Sequence, residues 1–318
     1  MFNPGRDYLG EWFSERRVLG IDDLIVVGAV DLSDGSVIWD RYHHADKDGI
    51  GVLSNYLEKK GYGAQKKPQQ RFTPPNSFVE RLRLTVNPFG NELPLATDWQ
   101  HYDKERANHS TLAWQVLSVE ESDLIDQNAK ISAATVNSFW LWALNRTVSP
   151  LIKGGGEVSW FFPVNLRGQL KKTNPEANHS SGIYFNVTKN ADSKAIQKKI
   201  STQLKRQSHW GLAYQAQIGA MLGSGFMRFV LNKSIKGSRM VGSLSMLGEW
   251  PTSRQSTNNN EAIIICAPGS PMYPIATGVI KWNDQYTVCL RVNSVLGSTQ
   301  GQTDDMLQEW IGNLVSGE

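Results

Sequence analysis

His43-His44-Ala45-Asp46-Lys47-Asp48-Gly49 is the most informative stretch of the chain. It follows a strand-like run, Ser36 to Tyr42, and precedes a helical pattern over residues 49–60. Strand ends in α/β sheets are favoured places for active sites. A histidine there can serve as a general base near neutral pH. Asp48, four residues beyond His44, can orient an imidazole or hold the loop. Gly49 permits a backbone angle or a close approach that a side chain forbids.

Upstream, Leu24 to Leu32 (LIVVGAVDL) reads as a buried strand, and Asp34-Gly35 as the turn of a hairpin. Downstream, a polar loop is expected over residues 61–76. Strands are expected at Phe78 to Val86 and at Thr111 to Leu117, where Leu112, Trp114 and Val116 alternate. Ser118-Val-Glu-Glu121 has the pattern of a capping box, so a helix starts there. A second helix is expected at Ser132 to Thr147. Gly154 to Gly156 reads as a linker, which divides the chain into residues 1–152 and 153–318. The second half offers strands at Val158 to Val164, Ile183 to Val187 and Ala262 to Ala267. Helical patterns cover Ser193 to Gln207 and Leu212 to Asn232. A hairpin turns at Asn283-Asp284, and a last helix runs from Thr303 to Val315. This mixed order predicts two α/β sandwich lobes.

Composition bounds the function. The 318 residues are 40% hydrophobic and 20% charged, enough apolar content for a large core and against disorder. Lys plus Arg is 33 and Asp plus Glu is 30, so the net charge is only +3, which disfavours a nucleic-acid coat or a polybasic tail. Cys266 and Cys289 lie in apolar runs and read as buried thiols of a reducing compartment. Neither sits in a nucleophile motif, and two cysteines alone cannot form a zinc site. His101, His109, His179 and His209 lack metal-ligand spacing and read as surface histidines. The Asn-x-Ser/Thr triplets, at Asn108 and Asn178 among others, read as chance. No signal peptide and no membrane-spanning run is expected, and the location expected is cytoplasmic.

The first stretch has the pattern HHxxxDG and resembles the active-site signature of the chloramphenicol acetyltransferase-like superfamily, which includes condensation domains. Three further segments are similar in the same order. Phe162-Pro-Val-Asn-Leu-Arg-Gly168 looks like the P-V-N-x-R strand. Asn178-His-Ser-Ser-Gly-Ile-Tyr-Phe-Asn186 resembles the segment that follows it. Ser243-Leu-Ser-Met-Leu-Gly248 resembles the crossover segment near residues 241–250, with Met246 where an Asn is usual.

The resemblance implies an α/β fold of two lobes with a tunnel between them. The N-lobe is expected to be shortened, because only 42 residues precede His43. It implies transfer of an acyl group, other than aminoacyl, from an acyl thioester to a hydroxyl or amine. The thioester is coenzyme A or phosphopantetheine, used as a co-substrate, with no permanently bound cofactor and no metal. His44 is then the general base. Asp48 is structural and pairs with Arg167, His43 shapes the site, and Ser245 or a nearby backbone N–H meets the oxyanion. Arg167, Tyr184, Asn186, Met246 and Gly248 are the implied substrate-side residues. Two other readings stay open: a stand-alone condensation or release enzyme acting on carrier proteins, and a non-catalytic binding or scaffold protein of the same fold.

Overall fold

The computed structural model describes residues 6–63, 73–90, 92–103, 109–170, 174, 176–237, 240–250 and 260–317. Residues 64–72 of the expected 61–76 loop and Asn108 lie outside them.

The continuous apolar run of strand β1 (Leu24–Asp31) is explained by its position. It is the middle strand of a three-stranded antiparallel sheet, between β2 (Val37–His43) and β8 (Glu261–Cys266). Both of its faces are covered, so alternation with polar residues is lost. The Asp34-Gly35 turn closes the β1–β2 hairpin, with Gly35 at φ +72 and the Asp34 carboxylate accepting from Ser36 N–H at 2.7 Å. Helix α2 (Gly49–Lys59) follows β2 and packs Val52, Leu53, Tyr56 and Leu57 against this sheet.

The larger sheet runs β3-β10-β9-β6-β4-β5, with β7 (Met246–Trp250) beside β9. Its strands are β3 (Ser110–Val116), β4 (Glu157–Asn165), β5 (Ser180–Thr188), β6 (Gly242–Ser243), β9 (Ile275–Trp282) and β10 (Gln285–Asn293). The β3 alternation sorts two layers. Leu112, Trp114 and Val116 face the core shared with the small sheet, whereas Ala113 joins the core under the helices. Those helices include α4 (Val119–Ile131), α5 (Val136–Val148) and α9 (Gln300–Ser316). The expected capping box of α4 is present, and the β9–β10 hairpin turns at Asn283 (φ 49) and Asp284 (φ 65).

The cores do not follow the sequence halves 1–152 and 153–318. Leu144 before the Gly154–Gly156 turn and Trp160 after it share one core, while β8 leaves the second half to pair with β1.

Two expected elements take other forms. Phe78 to Val86 is not a strand but helix α3 (Phe78–Val86), started by the Ser77 hydroxyl accepting from Glu80 N–H at 3.1 Å. Only Leu84 of α3 is buried, under α7 (Ser208–Leu222). The Ser-x-x-Glu start carries the correct signal and the two-residue alternation misleads. The single helix expected over Leu212 to Asn232 breaks at Gly223 (φ +91) into α7 and α8 (Ser224–Gly237). Helix α1 (Tyr8–Val18) packs on both, and α6 (Ser193–Lys205) packs with α7 over β5. No helix among the described residues is long and apolar enough to cross a membrane.

Candidate active site

The end of β2 turns into α2 through residues 44–48, and Asp48 anchors that corner. Its carboxylate caps α2 by accepting from Gly51 N–H at 2.9 Å. It also accepts from the two terminal nitrogens of Arg167 at 2.6 and 2.8 Å and from His179 N–H at 2.8 Å. Both partners of the ion pair are buried, with side chains about 4% exposed. The charge is therefore matched in a place where an unmatched one costs several kcal/mol. The pair ties α2 to the end of β4 and the start of β5. Gly51 makes the closest approach, because a Cβ there would stand 2.3 Å from Glu176 O. At Gly49 a Cβ would only press on the flexible Leu247 side chain at 3.2 Å.

His44 is held by three residues. Its N–H donates to Asp23 O at 2.8 Å, and its ring stacks on Phe13 with centroids 3.8 Å apart and planes 6° off parallel. Asn178 Nδ2 lies 3.0 Å from His44 Nδ1 and donates to His44 O at 3.2 Å. Asn178 Oδ1 accepts from Ser180 Oγ at 2.6 Å, which fixes the way the amide points. Burial pushes the His44 imidazole down to about 4; a hydrogen bond to its own main chain and the charge of Asp48 oppose that shift but do not cancel it. His44 is thus neutral at pH 7.

The ring opens on an apolar cavity of about 270 Å³ between the two sheets. Phe13, Ile25, Phe161, Leu212, Leu247 and Ile265 form much of its wall, and Asp48, Arg167, Tyr184, Ser245 and Met246 also reach it. Tyr184 shares a 2.6 Å hydroxyl hydrogen bond with Tyr273. Ser245 is fixed by its backbone: its N–H donates to Thr277 Oγ1 at 3.3 Å and its carbonyl accepts from Val279 N–H at 2.9 Å.

Three of the expected residues stand apart from the cavity. His43 turns away, and its Nδ1 meets the Asp23 carboxylate at 3.1 Å. Asn186 shares the Tyr184 face of β5 but lies beyond the cavity. There it accepts from Ser159 Oγ and donates to Leu93 O, holding the 92–95 segment to the sheet. Gly248 (φ +85) lines a separate cleft beside Asp126, Lys281 and Tyr286, which Met246 borders from the other side.

Two histidines expected on the surface are buried. His179 is 4% exposed and its Nε2 lies 3.0 Å from Asn174 O; His209 is fully buried. Cys266 and Cys289 are buried free thiols, as expected, and burial with Cys266 nearby pushes the Cys289 thiol up. Phe13, Asp23 and Asn178 were not anticipated as site residues. Asn178 opens a segment that the motif pattern does mark, whereas nothing local marks Phe13 or Asp23.

No family model and no curated protein sequence matches the chain. Solved structures do share its fold. The trichothecene 15-O-acetyltransferase of Fusarium sporotrichioides aligns over 89% of this chain and 66% of its own, at 13% identity and a TM-score of 0.61. The cyclization–docking bidomain of the EpoB nonribosomal peptide synthetase from Sorangium cellulosum aligns over 88% and 59%, at 10% identity and a TM-score of 0.56. The condensation domain of the monacolin K polyketide synthase gives 88% and 69%, at 11% identity and a TM-score of 0.52. The chain thus spans about two thirds or less of the first two structures. It has the acetyltransferase and condensation-domain fold, with two sheets and the helices that cover them.

Proposed function

We propose, from this shared fold, that the chain transfers an acyl group from a thioester to a hydroxyl or amine with His44 as general base. The observation that carries the reading is a neutral imidazole, fixed by Phe13 and Asn178, that opens on an apolar cavity. A base needs a bare nitrogen. Nε2 is the free base when the His44 proton sits on Nδ1, directed to the residue's own carbonyl; Asn178 Nδ2, which can only donate, then gives up its 3.0 Å contact with Nδ1 and keeps its bond to His44 O.

Nε2 takes the proton of the acceptor O–H or N–H while the acceptor attacks the thioester carbonyl carbon. The tetrahedral oxyanion accepts from the Ser245 hydroxyl, an interaction worth a few kcal/mol in a dry site. Collapse re-forms the carbonyl and breaks the C–S bond. The leaving sulfur takes the proton back from His44 Nε2, which releases a thiol and restores the neutral base. Asp48 takes no proton in this scheme. It is fully engaged by Arg167 and two backbone N–H groups, so its work is to hold the corner.

Coenzyme A is the donor this reading favours. A carrier-bound phosphopantetheine is the second reading, supported by fold relatives that are domains of multidomain synthetases. The test is thiol release from a panel of acyl-CoAs, and separately from an acylated carrier protein, in the presence of hydroxyl and amine acceptors. His44→Ala should lower the rate by about 10²–10⁴ with the fold intact. Undiminished turnover in that variant would overturn the mechanism, and activity only with the carrier would select the second donor.

A further inference from the structure

Seventeen large hydrophobic side chains are exposed among the described residues, and nine of them fall on α3, α7 and α8. Phe78 (78% exposed), Val79, Leu82 and Val86 form one stripe of α3. Ile218, Met221 and Leu222 close α7, and Phe226 and Phe229 (65%) open α8 across the Gly223 break. The stripes meet. Gln215 of α7 donates to Thr85 O of α3 at 2.9 Å, and Ile218 follows Gln215 by one helical turn. A patch of this size on one corner of a molecule marks an interaction surface.

Its charges specify the partner. Arg81, Arg83, Arg228 and Lys233 lie on these helices and are exposed, and Glu80 is the single acidic residue in the sequences of all three. Glu15 of α1 matches the charge of Arg228 at 2.5 Å, so the cationic character of the face comes from Arg81, Arg83 and Lys233; Arg81 Nε donates to Pro75 O at 2.9 Å, which keeps that guanidinium beside the α3 stripe. Exposed aromatic and aliphatic residues among cations, with almost no acid, suit the boundary of an anionic bilayer.

We propose that the α3–α7–α8 face docks on an anionic lipid surface. The same helices lead to the cavity: Leu212 of α7 and Leu9 and Phe13 of α1 line it, and Trp12 of α1 donates to Ala216 O at 2.7 Å. The docked face therefore abuts the apolar cavity wall. The proposal does not depend on acyl transfer, because lipid binding is read without turnover.

The experiment is sedimentation of the full chain with vesicles of phosphatidylcholine alone and of phosphatidylcholine with phosphatidylserine. Binding to the phosphatidylserine vesicles is expected, weakening as salt rises. Arg81→Glu with Arg83→Glu, and separately Phe226→Ser with Phe229→Ser, should each weaken it at least about tenfold. Ile38→Ser, at an exposed position on β2, should leave it unchanged. Circular dichroism establishes that each variant is folded, and the salt dependence of the unmodified chain needs no variant. Absence of binding overturns the proposal, as does binding indifferent to both salt and the patch variants. It also fails if the chain sediments as a dimer that Phe226→Ser with Phe229→Ser dissociates, which would assign the face to a second copy.

Discussion

Asp48 serves two structures at once, a helix N-terminus and a buried guanidinium. Removing it leaves Arg167 as an uncompensated buried charge, and removing Arg167 leaves Asp48 the same way. Asp48→Ala and Arg167→Ala should therefore each cost about 3–5 kcal/mol in urea unfolding. The double variant should cost clearly less than their sum, because the second deletion removes the charge the first one stranded. His44 carries a different dependence. Its imidazole is lowered from 6.5 to about 4, so it stays unprotonated and competent as a base well below neutrality. The kcat/KM profile should hold level from pH 7 down to about pH 5 and fall only as pH approaches 4. A limb near pH 6.5 would mean that burial does not govern this ring. His44, Asp48 and Arg167 were legible because each sits in a short motif. Phe13 and Asp23 were not, because they reach His44 by tertiary contact and no local pattern marks them.

At the scale of elements, the capping signals proved the most faithful. Ser118 and Glu121 start α4 as expected, and Ser77 starts α3 where alternation alone argues for a strand. A two-residue alternation and a short amphipathic helix share apolar positions over nine residues, so the cap decides between them. The α7–α8 break is equally local in cause. Gly223 sits at φ +91 and ψ 173, a region open essentially to glycine alone. Gly223→Ala should destabilise the fold by about 1–3 kcal/mol in chemical unfolding. It should also disturb the corner where Leu222 and Phe226 adjoin, and an unchanged midpoint would show that the break tolerates a side chain.

For the molecule as a whole, the cavity exists because two sheets approach without merging. Gly278 of β9 lies so close to β8 that a Cβ would stand 1.9 Å from Ile265 O. Strand β8 is the link, since it pairs with β1 in one sheet and packs against β9 and β10 of the other. Global stability carries a pH signature from His209, which is fully buried and lowered from 6.5 to about 4 by burial. A folded-state value below the unfolded one means the unfolded chain binds the proton first. Stability from this group is complete above about pH 6.5 and is lost as pH falls toward 4. Thermal unfolding between pH 7 and pH 5 should show that decline, with a shallower slope in His209→Gln. An equal slope in the variant would assign the decline to other groups.

The sequence by itself determined the turn from β2 into α2 that carries the HHxxxDG pattern, the mixed α/β order, the two hairpins, most strand starts and the starts of α2, α4 and α6. These follow from residues within about ten positions of one another, where turns, caps and motifs act. The tertiary structure alone decided that β8 joins β1, that His179 and His209 are buried, that Asn186 holds a loop rather than the cavity, and that Phe13 stacks on His44. Each of those depends on which distant surfaces come together, and burial of apolar area is indifferent to the order of the chain.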